Sequence, residues 1–179
     1  MKVQLQFYNY YKSIKQSTIG VIIILIVVSN LSVFLSGCTN KSTMQNIQAF
    51  SFRLKPGEDL KKGIEKVVHE NHIKAGWISA CVGSLTNYNI RFANQPTTNS
   101  GSGHFEIVSL TGTVSTNGVH IHISISDSTG KTIGGHLSEG NIIYTTAEIV
   151  ICSSNNYVFK REVDGTTPWD ELQIETVKK

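Results

Sequence analysis

The clearest regularity along the chain is a strict alternation of apolar and polar residues that begins at Val119. Successive side chains of an extended strand point to opposite faces, so this alternation separates two kinds of surface. The apolar positions are Val119, Ile121, Ile123 and Ile125, and the polar positions are His120, His122, Ser124 and Ser126. The pattern predicts a strand that ends near Asp127, with one face in the core and the other face available for chemistry.

The two histidines of this strand stand roughly 7 Å apart along it, close enough to share one metal ion if a third ligand arrives from a neighbour. Residues 127–131 are rich in turn formers, which predicts a reversal into a returning strand at 133–137. An antiparallel return would bring His136 within reach of His120 and His122.

Gly134 and Gly135 precede His136 directly. Because glycine has no Cβ, the pair favours a bulge or a close backbone approach beside a site. Spacing alone leaves two alternatives open, a metal site formed by the three histidines or a polar strand face in contact with water.

One confident helix follows Pro56 and Gly57. Its apolar residues recur at spacings of four and three, which gives a single apolar stripe. That stripe consists of Leu60, Ile64, Val67 and Val68. His69 and His72 lie near the helix end, where they could bind a metal, but complementing the carbonyl end of the helix dipole is the favoured interpretation.

The other segments are β-like. Strands are expected at 50–55, 75–85, 87–92, 104–114, 142–152, 157–162 and 172–175, with 75–85 and 87–92 pairing as a hairpin and 93–103 forming a mobile loop. One helix against a largely antiparallel sheet predicts an α+β domain without internal repeats.

The charge balance argues against sequence-independent binding to nucleic acid, although a local basic patch stays open. The chain has 16 basic and 13 acidic residues. Residues 1–37 contain three lysines and no acid, so the remainder has 13 of each and is neutral by formal count. It therefore lacks the net basic field that drives sequence-independent binding to phosphate backbones.

The amino-terminal segment resembles an export signal. Three lysines precede an apolar run that starts with residues 19–28 and continues to Leu35. The run ends in Leu35-Ser-Gly-Cys38, which resembles the bacterial lipobox, whose cysteine receives a lipid. An uncleaved membrane anchor is the alternative, and both place the domain outside the cytoplasm, at the cell envelope.

These features predict a lipoprotein signal peptide at 1–37, a polar tether at 38–49 that begins with the lipid-carrying Cys38, and one domain at 50–179. Cys81 and Cys152 could pair in an oxidising compartment, but we expect them to be unpaired small hydrophobes.

Several separated motifs together resemble the PPC domain, the plant-and-prokaryote conserved domain. They are Arg53-Leu-Lys-Pro-Gly-Glu-Asp-Leu60, Gly83-Ser-Leu85, Phe105-Glu-Ile-Val-Ser-Leu-Thr-Gly112, His120-Ile-His122, Gly134-Gly-His-Leu137, and Phe159-Lys-Arg161 with Asp164. The resemblance implies an α+β fold that assembles as a compact homotrimer. It also implies a metal site at His120, His122 and His136, for which zinc is preferred and another divalent metal is the alternative.

In plant members the domain follows AT-hook segments of DNA-associated proteins, and prokaryotic members often carry a DNA-binding label. This chain has no Arg-Gly-Arg hook core, and its export signal points away from the chromosome, so nucleic acid is not the expected partner. The fold also resembles that of alpha-acetolactate decarboxylase, a zinc enzyme with a His-x-His pair and a later histidine.

Three functions follow from these observations. The first is a trimeric metal-binding module at the envelope with a small-molecule ligand, the second is a zinc enzyme acting on a small oxo- or hydroxy-acid, and the third is a DNA-binding protein. Arg53 and Glu106 are candidate ligand contacts, with Arg91 and His104 as further helpers. A surface charge for Glu106, and an ion pair or subunit contact for the arginines, are the favoured structural interpretations.

Overall fold

A computed structural model describes residues 47–178 together with Lys12 and Lys15. The expected signal peptide at 1–37 and the lipidated Cys38 lie outside the described residues, apart from those two lysines. In the order of the chain the elements are β1 Ile47–Leu54, α1 Leu60–Glu70, β2 Gly76–Arg91, β3 Asn99–Ser115, β4 Gly118–Ser126, β5 Thr132–Leu137, β6 Ile142–Ser154, β7 Tyr157–Val163 and β8 Asp170–Thr176. The prediction of a mostly antiparallel sheet with one short helix is confirmed.

Six strands form one antiparallel sheet in the order β1-β6-β2-β3-β4-β5. The far end of β2 also pairs with β5, through Ile90 opposite Leu137 and Arg91 opposite His136. The four strands from β2 to β5 therefore close into a ring, and this closure determines where the candidate site lies. Strands β7 and β8 form a separate two-stranded sheet.

The core lies between the helix and one face of the six-stranded sheet. Leu60, Ile64 and Val68 of α1 are fully buried, as their spacing predicts. Asp59 caps the helix by accepting a hydrogen bond from the backbone N–H of Lys62 at 3.0 Å, which satisfies an otherwise unpaired donor of the first turn.

Two expectations for the middle of the chain are wrong. Residues 75–85 and 87–92 do not form a hairpin, because β2 continues through both and absorbs the change in an irregularity between Leu85 and Asn87. The expected loop at 93–103 ends early, because β3 begins at Asn99 and pairs with the far end of β2. Backbone hydrogen bonds hold this polar stretch in a strand although it has little apolar surface to bury.

The two cysteines that the structure describes are free, which confirms the expectation for Cys81 and Cys152. Burial raises the pKa of the Cys81 thiol to about 12, so this side chain is a packed thiol and not a nucleophile. In the described part of the chain, no helix has the length and apolar character needed to cross a bilayer.

Candidate metal centre

Strand β4 presents its two histidines because its alternate residues are held in the core. Ile121, Ile123 and Ile125 are 2%, 3% and 0% exposed. Their burial fixes the strand's orientation, and His120 and His122 must then project from the opposite face.

The turn after β4 brings the third histidine into register. Asp127 stabilises this turn by accepting hydrogen bonds from the backbone N–H groups of Thr129 and Lys131, at 2.8 and 3.1 Å. Strand β5 then returns antiparallel, and His136 lies directly opposite His122. Paired residues of neighbouring strands share a face, so the three imidazoles converge.

The two glycines before His136 permit the close approach of three strands. A Cβ on Gly135 would lie 2.5 Å from the carbonyl oxygen of Arg91 on β2, and one on Gly134 would lie 2.7 Å from that of Ile123 on β4. Larger residues would force β5 away from both neighbours. The close backbone approach predicted for this pair is confirmed.

The geometry of the three rings suits a single metal ion. One ring nitrogen from each of His120, His122 and His136 lies within 4.8 Å of the others. The Nε2 atoms of His120 and His122 are 3.2 Å apart. Two nitrogens bound to a tetrahedral zinc ion at about 2.0–2.1 Å would be about 3.3 Å apart, so this pair is already spaced for coordination.

Electrostatics keep two of the rings neutral. Burial, followed by the positive charges of Arg161 and His122, lowers the pKa of His120. Burial, followed by the charges of His120 and Arg91, lowers the pKa of His136 to about 4. A neutral imidazole has a free lone pair at neutral pH, which is the form that binds a metal.

One atom of the cluster lacks any partner within the fold. Nδ1 of His136 is buried and makes no hydrogen bond with the described residues. Buried polar atoms without partners are rare in native proteins, and an ion held by the cluster would account for this one. Three imidazoles with one open side fit the donor set of zinc and are also acceptable to other divalent transition metals.

The open side of the cluster faces a cavity of about 430 Å³. The wall combines the strand ends near the histidines with the β7–β8 sheet. Its lining residues are Arg91, Asn117, Gly118, Val119, His120, His136, Arg161, Trp169, Asp170 and Glu171. A small molecule could reach the cluster from this side.

The other candidate residues lie elsewhere. Nε of Arg53 donates to the Thr146 hydroxyl at 2.9 Å. Glu106 lies opposite Ser126, which is four residues along β4 from His122, a separation of roughly 13 Å along the strand. Neither residue lines the cavity, so their role as ligand contacts stays a prediction.

The remaining histidines do not join the cluster. His104 stacks on Tyr144 with ring centroids 4.2 Å apart. His69 lies in the last helical turn, and His72 follows in the next turn with a φ of 51°. Among the described residues, the three-histidine group is the single cluster with metal-binding spacing.

Sequence reasoning missed the importance of Trp169 and gave no cavity role to Arg161. Arg161 lies on β7 and Trp169 directly precedes β8, and this two-stranded sheet pairs only with itself, so it leaves no register signal toward the histidines. A long-range contact places this hairpin: the Asn117 side-chain amide beside the β4 turn donates to the Phe159 carbonyl at 2.9 Å. That contact cannot be read from periodicity.

A family model described as the Plants and Prokaryotes Conserved (PCC) domain matches residues 41–155. Among curated proteins, the bifunctional protein GlmU of Synechococcus sp. (strain JA-3-3Ab) is 40% identical over 132 residues, which is 74% of this chain and 21% of that protein. The chain therefore spans about a fifth of the length of this curated relative.

Solved structures share the fold. A hypothetical protein from Salmonella enterica superposes with a TM-score of 0.72 at 36% identity and covers 74% of this chain and 96% of its own. A metal-containing protein from Archaeoglobus fulgidus has a TM-score of 0.61 at 25% identity, over 70% of this chain and 93% of its own. A protein from Bacteroides thetaiotaomicron that is named as a candidate DNA-binding protein has a TM-score of 0.60 at 20% identity. It covers 74% of this chain and 98% of its own length, and the likeness shows the fold alone.

Proposed function

The chain belongs to the Plants and Prokaryotes Conserved domain family, and on that premise we propose that it is a metal-binding module for a small ligand at the cell envelope. The observation that carries this proposal is the convergence of three imidazole nitrogens within 4.8 Å beside a cavity. A polar strand face in contact with water would not require the third histidine, the two glycines and the neutral rings to coincide.

Zinc is the preferred ion. His120, His122 and His136 would hold it through one nitrogen each, and the cavity would supply the open fourth side. The metal-containing protein from Archaeoglobus fulgidus, at 25% identity, supports a metal in this family. When bound, a divalent ion of this kind supplies a Lewis acid that polarises an oxygen of the ligand.

The surrounding chain would orient the ligand and shield it from water. Arg91 and Arg161 contribute positive charge to the cavity wall, and Trp169 contributes a large apolar face. The buried backs of β4 and β5 keep the imidazoles in place, so the site would be formed before the ligand arrives.

The location and assembly of the module belong to the same proposal. The lipobox-like Leu35-Ser-Gly-Cys38 after a lysine-bearing apolar segment supports a lipid on Cys38 and a place outside the cytoplasm. Exposed valines on the sheet support assembly with further copies, since Val82 and Val108 are 60% and 58% exposed. We propose a homotrimer tethered to the membrane surface.

Zinc titration of a histidine variant tests the function. His122→Ala removes one of three ligands, so we expect zinc affinity to fall by more than about 100-fold, beyond the loss that outer-shell changes cause. His104→Ala is the matched control, because its ring stacks on Tyr144 away from the cluster. Competition with a zinc-binding dye measures both. Equal affinities for His122→Ala and the parent chain would contradict the proposal.

A DNA-binding role is the first alternative, favoured by the name of the Bacteroides thetaiotaomicron neighbour. It predicts duplex binding that weakens steeply with salt and is insensitive to zinc. Lost zinc in His122→Ala with unchanged duplex affinity would separate this alternative from the metal-linked function. The neutral formal charge of residues 38–179 argues against it.

A zinc enzyme acting on a small oxo- or hydroxy-acid is the second alternative. The open side of the cluster and the adjoining cavity favour it, because a reacting oxygen could approach there. Zinc-dependent turnover of such an acid that His122→Ala abolishes would establish it.

A further inference from the structure

The two arginines of the cavity are each placed beside a histidine of the cluster. Arg91 lies directly opposite His136 where β2 pairs with β5. Nη2 of Arg161 donates to the Thr113 hydroxyl at 2.6 Å, and Thr113 lies directly opposite His120 where β3 pairs with β4. Both guanidinium groups are therefore anchored at the open side of the cluster.

Neither guanidinium is used in an ion pair within the fold. All the ion pairs among the described residues that lie within 4.0 Å involve lysine. Glu171, the nearest obvious partner on the cavity wall, instead accepts a hydrogen bond from the Thr167 hydroxyl at 2.5 Å. Asp170 and Glu171 act on Arg161 only at longer range than a direct ion pair, so guanidinium N–H donors remain for an anionic ligand.

Trp169 closes one side of the same cavity. The Cζ atom of Arg91 lies 5.5 Å from the centre of the Trp169 ring, within the range of a cation–π contact. The indole holds this guanidinium over the cavity while remaining 63% exposed. The cavity volume of about 430 Å³ is of the size that holds a small molecule.

We propose that the cavity binds a small molecule through an oxyanion group, a carboxylate or a phosphate, placed between Arg91 and Arg161 and next to the ion held by the histidines. This inference rests on the proposed function, because the metal ion proposed there would make the cavity positive enough to attract an anion. Asp170 and Glu171 also line the cavity and offset the two arginines, so the divalent ion supplies the surplus positive charge that attracts the anion.

Calorimetric titration of the 179-residue chain tests the inference, with and without zinc. Malonate and inorganic phosphate are the oxyanion probes, and neutral malonamide is the control ligand. We expect saturable binding of an oxyanion that zinc strengthens, and at least about a tenfold loss in each of Arg91→Met and Arg161→Met. The ratio between malonate and phosphate shows which oxyanion the site prefers.

Lys66→Met is the matched control, because Lys66 is an exposed cation on α1 that pairs with Glu70 and does not line the cavity. It should bind the anion as the parent chain does. A second measurement locates the ligand: the chain has two tryptophans, so a Trp77→Phe background leaves Trp169 as the sole reporter. Its emission should change with the same midpoint as the calorimetric titration.

The outcomes separate this inference from the metal proposal. Zinc bound at normal affinity with no oxyanion binding, or with equal losses in Arg91→Met, Arg161→Met and the Lys66→Met control, overturns the inference and leaves the metal site. Malonamide bound as tightly as malonate overturns it as well. Absence of zinc binding contradicts the proposed function, while arginine-dependent oxyanion binding to the zinc-free chain would still support the anion site.

Discussion

His136 has a more strongly lowered pKa than His120, its neighbour in the site. Burial is the main cause that lowers its pKa to about 4, and the neighbouring charges of His120 and Arg91 add to it. The histidine stays neutral through most of the acidic range, so its folded environment favours a free lone pair over a bound proton. A proton therefore competes weakly with a metal at this ring until the pH is low.

The lowered pKa of His136 predicts that the stability of the metal-free chain depends on pH. The folded pKa lies below the unfolded value near 6.5, so the unfolded chain binds more protons between about pH 6.5 and 4. Stability is thus fully present above pH 6.5 and is lost as the pH falls toward 4. We expect the free energy of unfolding in chelator to drop by on the order of 1 kcal/mol, after solvent screening of this partly buried ring.

Urea denaturation at pH 7 and pH 5 measures this loss. His136→Asn should flatten the dependence, and His104→Asn should leave the parent slope because His104 lies outside the cluster. A parent slope retained in His136→Asn would show that other groups cause the acid sensitivity.

Residue types alone identified the three histidines, but their convergence needed the register of β4 and β5. The alternation of buried isoleucines with polar residues predicted which face His120 and His122 occupy. The turn formers from Asp127 predicted the return of His136. No comparable local signal placed Arg161 and Trp169, since a hairpin that packs through a few side-chain contacts has no periodic relation to the strands it covers.

At the scale of elements, the closure of β5 against β2 is the feature on which the site depends. The closure consists of two residue pairs, Ile90 with Leu137 and Arg91 with His136. It is possible because Gly135 has no side chain at the point of contact. The same contact places Arg91 beside the cluster, so strand pairing and site geometry are coupled.

Gly135→Ala tests this coupling. The new Cβ would meet the Arg91 carbonyl oxygen at 2.5 Å and Cγ2 of Ile90 at 3.0 Å, both too close, so β5 must move. We expect a loss of about 1–3 kcal/mol in unfolding free energy, typical of overpacking, together with weaker zinc binding. Urea denaturation and zinc titration measure the two effects.

Thr132→Ala is the control, because Thr132 is exposed at the start of the same strand. Its stability and zinc affinity should stay close to those of the parent chain. Parent-like zinc binding in Gly135→Ala would mean that the cluster does not depend on the closure.

Strand assignment from the sequence succeeded where alternation or buried runs were present and failed where strands extend past the core. The long apolar run at 75–85 signalled part of β2, but the polar residues at its far end suggested a separate element. Residues 99–102 look like a loop because they are small and polar, yet they pair with 87–90. Backbone hydrogen bonding to a neighbour is not visible in composition.

At the scale of the whole molecule, the outer sheet face suggests a partner. Val82 on β2 and Val108 on β3 lie in the stretch between two paired segments of these strands, and both are more than half exposed. Exposed apolar side chains that lie close together on a sheet usually mark a contact with another surface. In the proposed homotrimer that surface is a second copy of this chain.

Light scattering of the purified chain measures the assembly. We expect the mass of three copies, and we expect Val82→Glu to release single copies because it buries a charge in the contact. Val163→Glu is the matched control, since Val163 is 65% exposed on β7, outside the six-stranded sheet. A single-copy mass for the unchanged chain would contradict the trimer.

Anomalous diffraction at the zinc absorption edge, from crystals of the zinc-loaded chain, shows directly whether the three histidines share one ion. We expect one peak about 2.0–2.1 Å from a nitrogen of each of His120, His122 and His136, facing the cavity that Arg91 and Trp169 line. No peak among the three rings, or a peak that His136 does not reach, would contradict the proposed metal site.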